Sequence, residues 1–192
     1  MKLVVGLGNP GPRYARTRHN AGARVTERLR ARWRLPEPEE RFEGRFARGR
    51  VASLAGLDVG VLEPETYMNE SGVAVAAALR KLPVEDPAAD LLVVLDDADL
   101  PFGRLRLRGA GSDGGHNGLA DVLEKLGRRD VPRLRFGIGR PLVAMETADY
   151  VLGRFSKEEE AALPAHLERA ADAVECFLRE GVAAAMNRFN AA

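Results

Sequence analysis

The five aliphatic residues Leu91-Leu92-Val93-Val94-Leu95 run without interruption into Asp96-Asp97-Ala98-Asp99. An apolar run with no alternation has no face to give to water, so it reads as a strand buried on both sides. It delivers its acids at the carboxyl end, the edge at which open α/β sheets place ligand chemistry. Lys2 to Leu7 is a second β-branched and aliphatic run, closed by Gly8-Asn9-Pro10-Gly11. It reads as a central strand feeding a tight loop.

Between and after these strands the periodicity changes. From Asn20 to Arg34, Val25, Leu29 and Trp33 recur at helical spacing, and Pro36 and Pro38 stop the helix. Residues 44–52 and 57–63 read as two strands of a hairpin around Ala55-Gly56, and a helix is expected over 71–81. Arg104 to Arg108 alternates arginine with leucine, as a half-exposed strand does, and leads through the glycine-rich stretch 109–118 into a helix at 117–126. Leu134 to Gly139 is a further strand. Ser156 followed by Glu159 has the capping-box form and opens a last helical segment, bent at Pro164 and ending near Gly181. With no internal repeat and no long linker, residues 1–192 are expected to form a single domain.

Composition excludes several classes. No apolar run approaches the roughly 20 residues that cross a bilayer, and Met1 to Gly6 is too short an apolar stretch for a signal peptide. A soluble, cytoplasmic chain is expected. The single cysteine, Cys176, rules out an internal disulfide and fits a buried helical position. His19, His116 and His166 lack the close spacing of a zinc site on one helix, so no structural metal is expected. The formal net charge of +1 hides a segregation: residues 1–50 carry 13 basic and 5 acidic residues, and 101–140 carry 9 and 4, whereas 51–100 carry 2 and 10. A basic face of this kind suits a polyanion, although arginines that merely solvate helices give the same count.

Gly6-Leu7-Gly8-Asn9-Pro10-Gly11 matches the G-x-G-x-x-G fingerprint after a strand. The context argues against a dinucleotide: Pro10 and Pro12 bracket the third glycine, the helix begins several residues late, and no strand-ending acid follows about 20 residues on. More informative is where reactive side chains fall. Asn9 follows the first strand, His19-Asn20 opens the first helix, Tyr67-Met68-Asn69 precedes the second, Asp96 ends the buried strand and His116-Asn117 ends the glycine-rich loop. All could meet at one sheet edge. Taken singly, each also has a structural explanation, as a turn residue, a helix cap or a strand terminator.

Together these words are specific. Val5-Gly6-Leu7-Gly8-Asn9-Pro10-Gly11 with Tyr14 and Thr17-Arg18-His19-Asn20-Ala21-Gly22 resembles the N-terminal signature of bacterial peptidyl-tRNA hydrolases. Pro64 to Gly72, Asp96 to Pro101, Gly114 to Leu119 and Arg133 to Pro141 match further motifs of that family in order. The resemblance implies one α/β domain with a mixed, mostly parallel sheet sandwiched between helices, acting as a monomer without metal or cofactor. Its implied partner is peptidyl-tRNA, held by the acceptor stem and 3′ end, with no membrane involved.

Carried over by motif, the catalytic histidine falls on His19, its acidic partner on Asp96, and the active-site asparagines on Asn9, Asn69 and Asn117. Tyr14 and Met68 match channel-lining positions, His116 lies on the bordering loop, and Arg106, Arg108 and Arg135 match tRNA-phosphate contacts. Where some members carry a lysine after the strand-ending Gly-x-Pro, this chain has Leu142-Val143-Ala144, with Arg140 as a conceivable substitute.

These residue types suit ester hydrolysis. An imidazole of ordinary pKa, about 6.5, can take a proton from water at neutral pH, and a carboxylate can fix its tautomer. Neutral amides can position water, donate to an oxyanion and pair with a peptide. Ser71 and Ser112 lack a nucleophile elbow, which favours water attack over an acyl-enzyme. On this reading Asp96→Asn is expected to be milder than His19→Ala. The alternative is a non-catalytic RNA-binding relative that keeps the basic face but has no use for the His19–Asp96 pair.

Overall fold

The computed structural model describes residues 1–191. In chain order its elements are β1 (Lys2–Gly6), α1 (Ala21–Trp33), β2 (Glu39–Glu40), β3 (Gly44–Val51), β4 (Leu57–Pro64), α2 (Ser71–Leu79), α3 (Pro87–Asp90), β5 (Leu91–Asp97), β6 (Leu105–Arg108), α4 (Asn117–Leu126), β7 (Arg133–Gly137), α5 (Thr147–Val151) and α6 (Lys157–Phe189). Short 3-10 turns at Arg18–Asn20, Ala52–Leu54 and Met68–Glu70 complete the set.

The strands form one sheet in the order β2-β3-β4-β1-β5-β7-β6. Its centre, β4-β1-β5-β7, is parallel, while β3 and β6 run antiparallel to their inner neighbours. The mixed, mostly parallel α/β architecture implied by the motifs is therefore present. Leu91 through Leu95 are all fully buried, and the pleat explains how. Leu92 and Val94 join the core that contains α1 and α6, while Leu91, Val93 and Leu95 join the one that contains α2 and α4. Each such aliphatic side chain withdrawn from water contributes about 1.5–3 kcal/mol.

Helix α1 lies against the carboxyl ends of β1 and β5. A methyl group on Gly22 would sit 2.3 Å from the Val94 carbonyl oxygen and 2.9 Å from both N and O of Leu7. This approach holds the turn Arg18–Asn20 over the sheet edge where β5 delivers Asp96. Gly22→Ala must push helix from strand and should cost about 1–3 kcal/mol or more. At about 2–4 °C per kcal/mol for a chain of this size, thermal melting reads the loss, and an unchanged Tm would show that the contact yields freely.

The last helix departs from expectation. No non-helical backbone occurs at Pro164; the break is at Gly181 (φ 86°, ψ 175°), and helix resumes beyond it to Phe189. Two contacts retain this extension. Ala185 is fully buried, and Asn190 treats the edge strand β6 as a strand partner would, accepting from Leu107 N (2.7 Å) and donating to Leu107 O (3.0 Å). Helix α2 stops at Leu79, where the chain tightens toward Pro83. Cys176 is buried, 2% exposed, as its helical spacing predicts.

Candidate active site

Asp96, still paired within β5, is 2% exposed. Two histidines reach it from different elements. His19, on the 3-10 turn before α1, places Nδ1 2.9 Å from both carboxylate oxygens. His116, the N-cap of α4, places Nε2 2.8 Å from Oδ1. Their rings are tilted by 50° with centroids 5.0 Å apart.

The tautomers follow from the partners. An ionised carboxylate only accepts, so His19 carries its proton on Nδ1 and keeps a lone pair on Nε2. The backbone N–H of Leu119 donates to His116 Nδ1 at 3.2 Å, so that nitrogen is an acceptor and Nε2–H donates to Asp96. Of the two imidazoles, one has a basic nitrogen to spare. Burial alone pushes the Asp96 carboxyl up, but the imidazoles, His116 first and then His19, outweigh it and hold it at about 2. The stability this gives is present above the ordinary carboxylate range and is lost as pH falls through about 2.

A groove of about 390 Å³ opens over this trio, with Asn117 and Arg135 in its walls and α5 at its rim. Its size is that of small-molecule clefts. Asn117 is exposed at the start of α4. Gly118 behind it leaves space for Met68, whose Sδ a Cβ there would meet at 2.5 Å.

Asn9 is pinned on three sides. Its N–H donates to Asn20 Oδ1 and its C=O accepts from Asn20 Nδ2, both at 2.9 Å, while its own Oδ1 accepts from Met68 N at 2.8 Å. Only its Nδ2 hydrogens remain to offer. Asn20 thus stands at the N-cap position of α1 without a side-chain capping bond, and its carboxamide is instead the clamp of the Asn9 loop. Gly8 is needed there, since a Cβ would stand 2.9 Å from the Asn20 carboxamide.

Of the residues singled out by motif, His19, Asp96, His116, Asn117 and Arg135 line the groove, Met68 packs beside it against Gly118, and Asn9, bonded to Met68 N, lines a separate cleft with Pro10, Gly11 and Arg24. Asn69 and Tyr14 are not in its walls: Asn69 is exposed on the Met68–Glu70 turn, and Tyr14 sits with Arg13 over its ring. Arg106, Arg108 and Arg135 line an adjoining cleft of about 370 Å³ that shares Asp97, Asp99 and Gly114 with the groove. Arg106 stands opposite Arg135 across the β6–β7 ladder, so both lie on one sheet face. Arg135 is not free: Nη2 donates to Asp113 O (2.9 Å) and Nη1 pairs with Asp97 (3.4 Å). Arg140, fully on the surface, pairs with Asp99 at 2.9 Å. Arg133, which no motif assigns to the site although it stands two residues before Arg135, is 1% exposed beneath the same cleft.

The family model described as peptidyl-tRNA hydrolase matches residues 3–192. A peptidyl-tRNA hydrolase of Chloroflexus aggregans is 54% identical over 190 residues, covering 99% of both chains. One from Symbiobacterium thermophilum is 50% identical over 98% of each. The crystal structure of peptidyl-tRNA hydrolase from Acinetobacter baumannii superimposes with a TM-score of 0.85 at 35% identity, covering all of this chain and 95% of the other. With the match running through the motifs that carry His19, Asp96 and His116, the chain belongs to the peptidyl-tRNA hydrolase family.

Proposed function

We propose that this chain hydrolyses the ester joining a peptide to the terminal ribose of tRNA, with His19 as general base. One observation carries the assignment of the base: His19 is anchored to Asp96 through Nδ1 and has Nε2 unspent, whereas both ring nitrogens of His116 are engaged. His19 Nε2 takes a proton from water as the water oxygen attacks the ester carbonyl carbon. Collapse of the tetrahedral intermediate breaks the bond to the ribose oxygen, which receives that proton from the imidazolium. Asp96 stabilises the imidazolium between the two transfers.

Asn117, at the positive end of α4, is suited to hold the water or donate to the oxyanion. Asn9, with its oxygen committed to Met68 N, serves as a donor to a substrate carbonyl. Asn69 and Tyr14 serve the peptide beyond the groove wall. We read His19, Asp96 and His116 as a hydrogen-bonded trio, not a metal site, although their ligand atoms lie within 4.8 Å of one another. With Leu119 N–H on Nδ1, the other nitrogen of His116 must keep its proton and has no lone pair for an ion. With His19 Nε2 as the base that activates water, the proposed reaction calls on no cofactor. A tRNA-linked substrate favours action in the cytoplasm, and the family resemblance favours a monomer; no helix among the described residues is long and apolar enough to cross a membrane.

The direct test is release of tRNA from N-acetylaminoacyl-tRNA, with the unblocked aminoacyl-tRNA as control; binding without release would leave an RNA-binding protein. For the stem, Arg106 and Arg108 are the groups best placed to meet phosphate, being exposed and without a carboxylate within 4.0 Å among the described residues. Arg106→Ala should raise KM for full-length substrate and lower its salt slope by about 0.7–0.9, leaving a short N-blocked aminoacyl ester unaffected. Equal losses on both substrates would remove Arg106 from phosphate recognition.

A further inference from the structure

Arg133 is a cation with almost no contact with water, and no carboxylate lies within 4.0 Å of it among the described residues. Its fork is spent on peptide carbonyls instead. Nε donates to Val131 O (2.7 Å), Nη1 to Ser112 O (3.1 Å), and Nη2 to Gly111 O (3.3 Å) and, at the limit, Arg129 O (3.5 Å). Arg135 takes the next carbonyl, Asp113 O. Three consecutive carbonyls of the glycine-rich loop are thus turned onto two guanidinium groups of β7. Beyond them the loop runs through Gly114 and Gly115, both at positive φ, into His116 on Asp96 and Asn117 in the groove.

Burying a charge without a counter-charge is costly. Here desolvation, with Arg135 adding repulsion and the Asp113 carboxylate only partly offsetting them, lowers the Arg133 pKa to about 10, still cationic at neutral pH. What the guanidinium supplies, and a smaller donor does not, is a rigid fork that spans Val131, Ser112 and Gly111 at once. Glycines leave the loop backbone flexible, and its other ties are Gly111 N–H to Arg129 O (3.1 Å), Gly115 N–H to Asp113 Oδ1 (2.7 Å) and His116 N–H to Asp113 O (3.3 Å), none of which holds the carbonyls of Gly111 and Ser112. We propose that Arg133 is a positioning residue for the reaction: by fixing the carbonyls of Gly111 and Ser112 it sets the loop that seats His116 on Asp96 and Asn117 in the groove. It would act on the chemical step, not on tRNA affinity, which separates it from Arg106 in the neighbouring cleft.

A loosened loop changes the acid limb of the pH profile in a definite direction. Asp96 receives N–H bonds from His19 and His116, and the other charged groups lining the groove are Asp97, paired with Arg135, and Asp99, paired with Arg140. If His116 withdraws, the Asp96 charge is less compensated, the His19 imidazolium is stabilised, and the limb moves to higher pH. A stability defect would lower the active fraction without moving the limb.

The experiment compares wild type with Arg133→Lys, checked for folding by thermal melting, on N-acetylaminoacyl-tRNA and on a short N-blocked aminoacyl ester. The expected result is a fall in kcat of about tenfold or more on both substrates, a limb shifted upward by about half a unit or more, and little change in KM. Gly111→Ala, at a backbone φ of 133° that alanine resists, disturbs the same contact from the loop side and should give the same two changes if Arg133→Lys does not fold. A folded variant with wild-type kcat and limb, or with only KM for the tRNA substrate raised, overturns the proposal. The inference rests on His19 being the base, and the two fail differently. A wild type that releases no tRNA, or whose acid limb persists in a still active His19→Ala, defeats that reading and this one with it. An active wild type with an unmoved limb in Arg133→Lys defeats this one alone.

Discussion

Replacing His19 with alanine will lower kcat on N-acetylaminoacyl-tRNA by about 10² to 10⁴, the usual worth of a positioned general base, with KM changed far less. The geometry names this histidine over its neighbour. His19 Nδ1 lies 2.9 Å from both oxygens of Asp96 and its Nε2 has no partner among the described residues, whereas His116 gives Nε2–H to Asp96 and receives Leu119 N–H on Nδ1. Folding should survive, because Asp96 keeps the bond from His116 and its charge stays compensated. Single-turnover measurement separates the chemical step from release. If His19→Ala kept near wild-type turnover while His116→Ala lost it, the roles assigned to the two histidines would be reversed.

The sheet was readable because its central strands leave no ambiguity: Leu91 to Leu95 is apolar on both pleat faces, and the two cores that receive those faces are both present. The gathering of His19, Asp96 and Asn117 was also readable, since each closes or opens an element at the same sheet edge. What was not readable depends on single contacts. Whether His116 turns to substrate or to Asp96 is decided by Leu119 N–H, three residues into the next helix. Arg133 and Arg135 share a face of β7, yet one is buried under the loop and the other lies in the cleft wall; the carbonyls of residues 111–113 make that difference. Short elements such as α3 and α5 carry too few residues for a period to show. The helix beyond Gly181 is stabilised by long-range burial of Ala185 and by Asn190 on Leu107, neither of which local sequence reports.

Asp96→Asn, expected from motif alone to be the milder change, should instead approach His19→Ala in its effect. The carboxamide has nearly the shape of the carboxylate but one acceptor oxygen in place of two. Set with its oxygen at the present Oδ1, it can still accept from His116 at 2.8 Å and from His19 at 2.9 Å, but its NH2 then meets His19 Nδ1–H at the 2.9 Å where Oδ2 now stands. Turned the other way, the NH2 opposes His116 Nε2–H, and His116 cannot yield because Leu119 N–H occupies its other nitrogen. The conflict is therefore relieved at His19, which moves its proton to Nε2 and accepts from the amide through Nδ1. That tautomer has no lone pair for water, and the imidazolium has lost its counter-charge as well. A fall in kcat of about 10² to 10⁴ is expected, with thermal stability little changed because size and most of the hydrogen bonding are preserved. Nitrogen-15 NMR of the histidine rings reads the tautomer directly. Proton density on His19 Nε2 together with lost turnover is the predicted pair of results; a folded variant within about tenfold of wild type, with the proton still on Nδ1, would show that Asp96 does not govern the tautomer of His19.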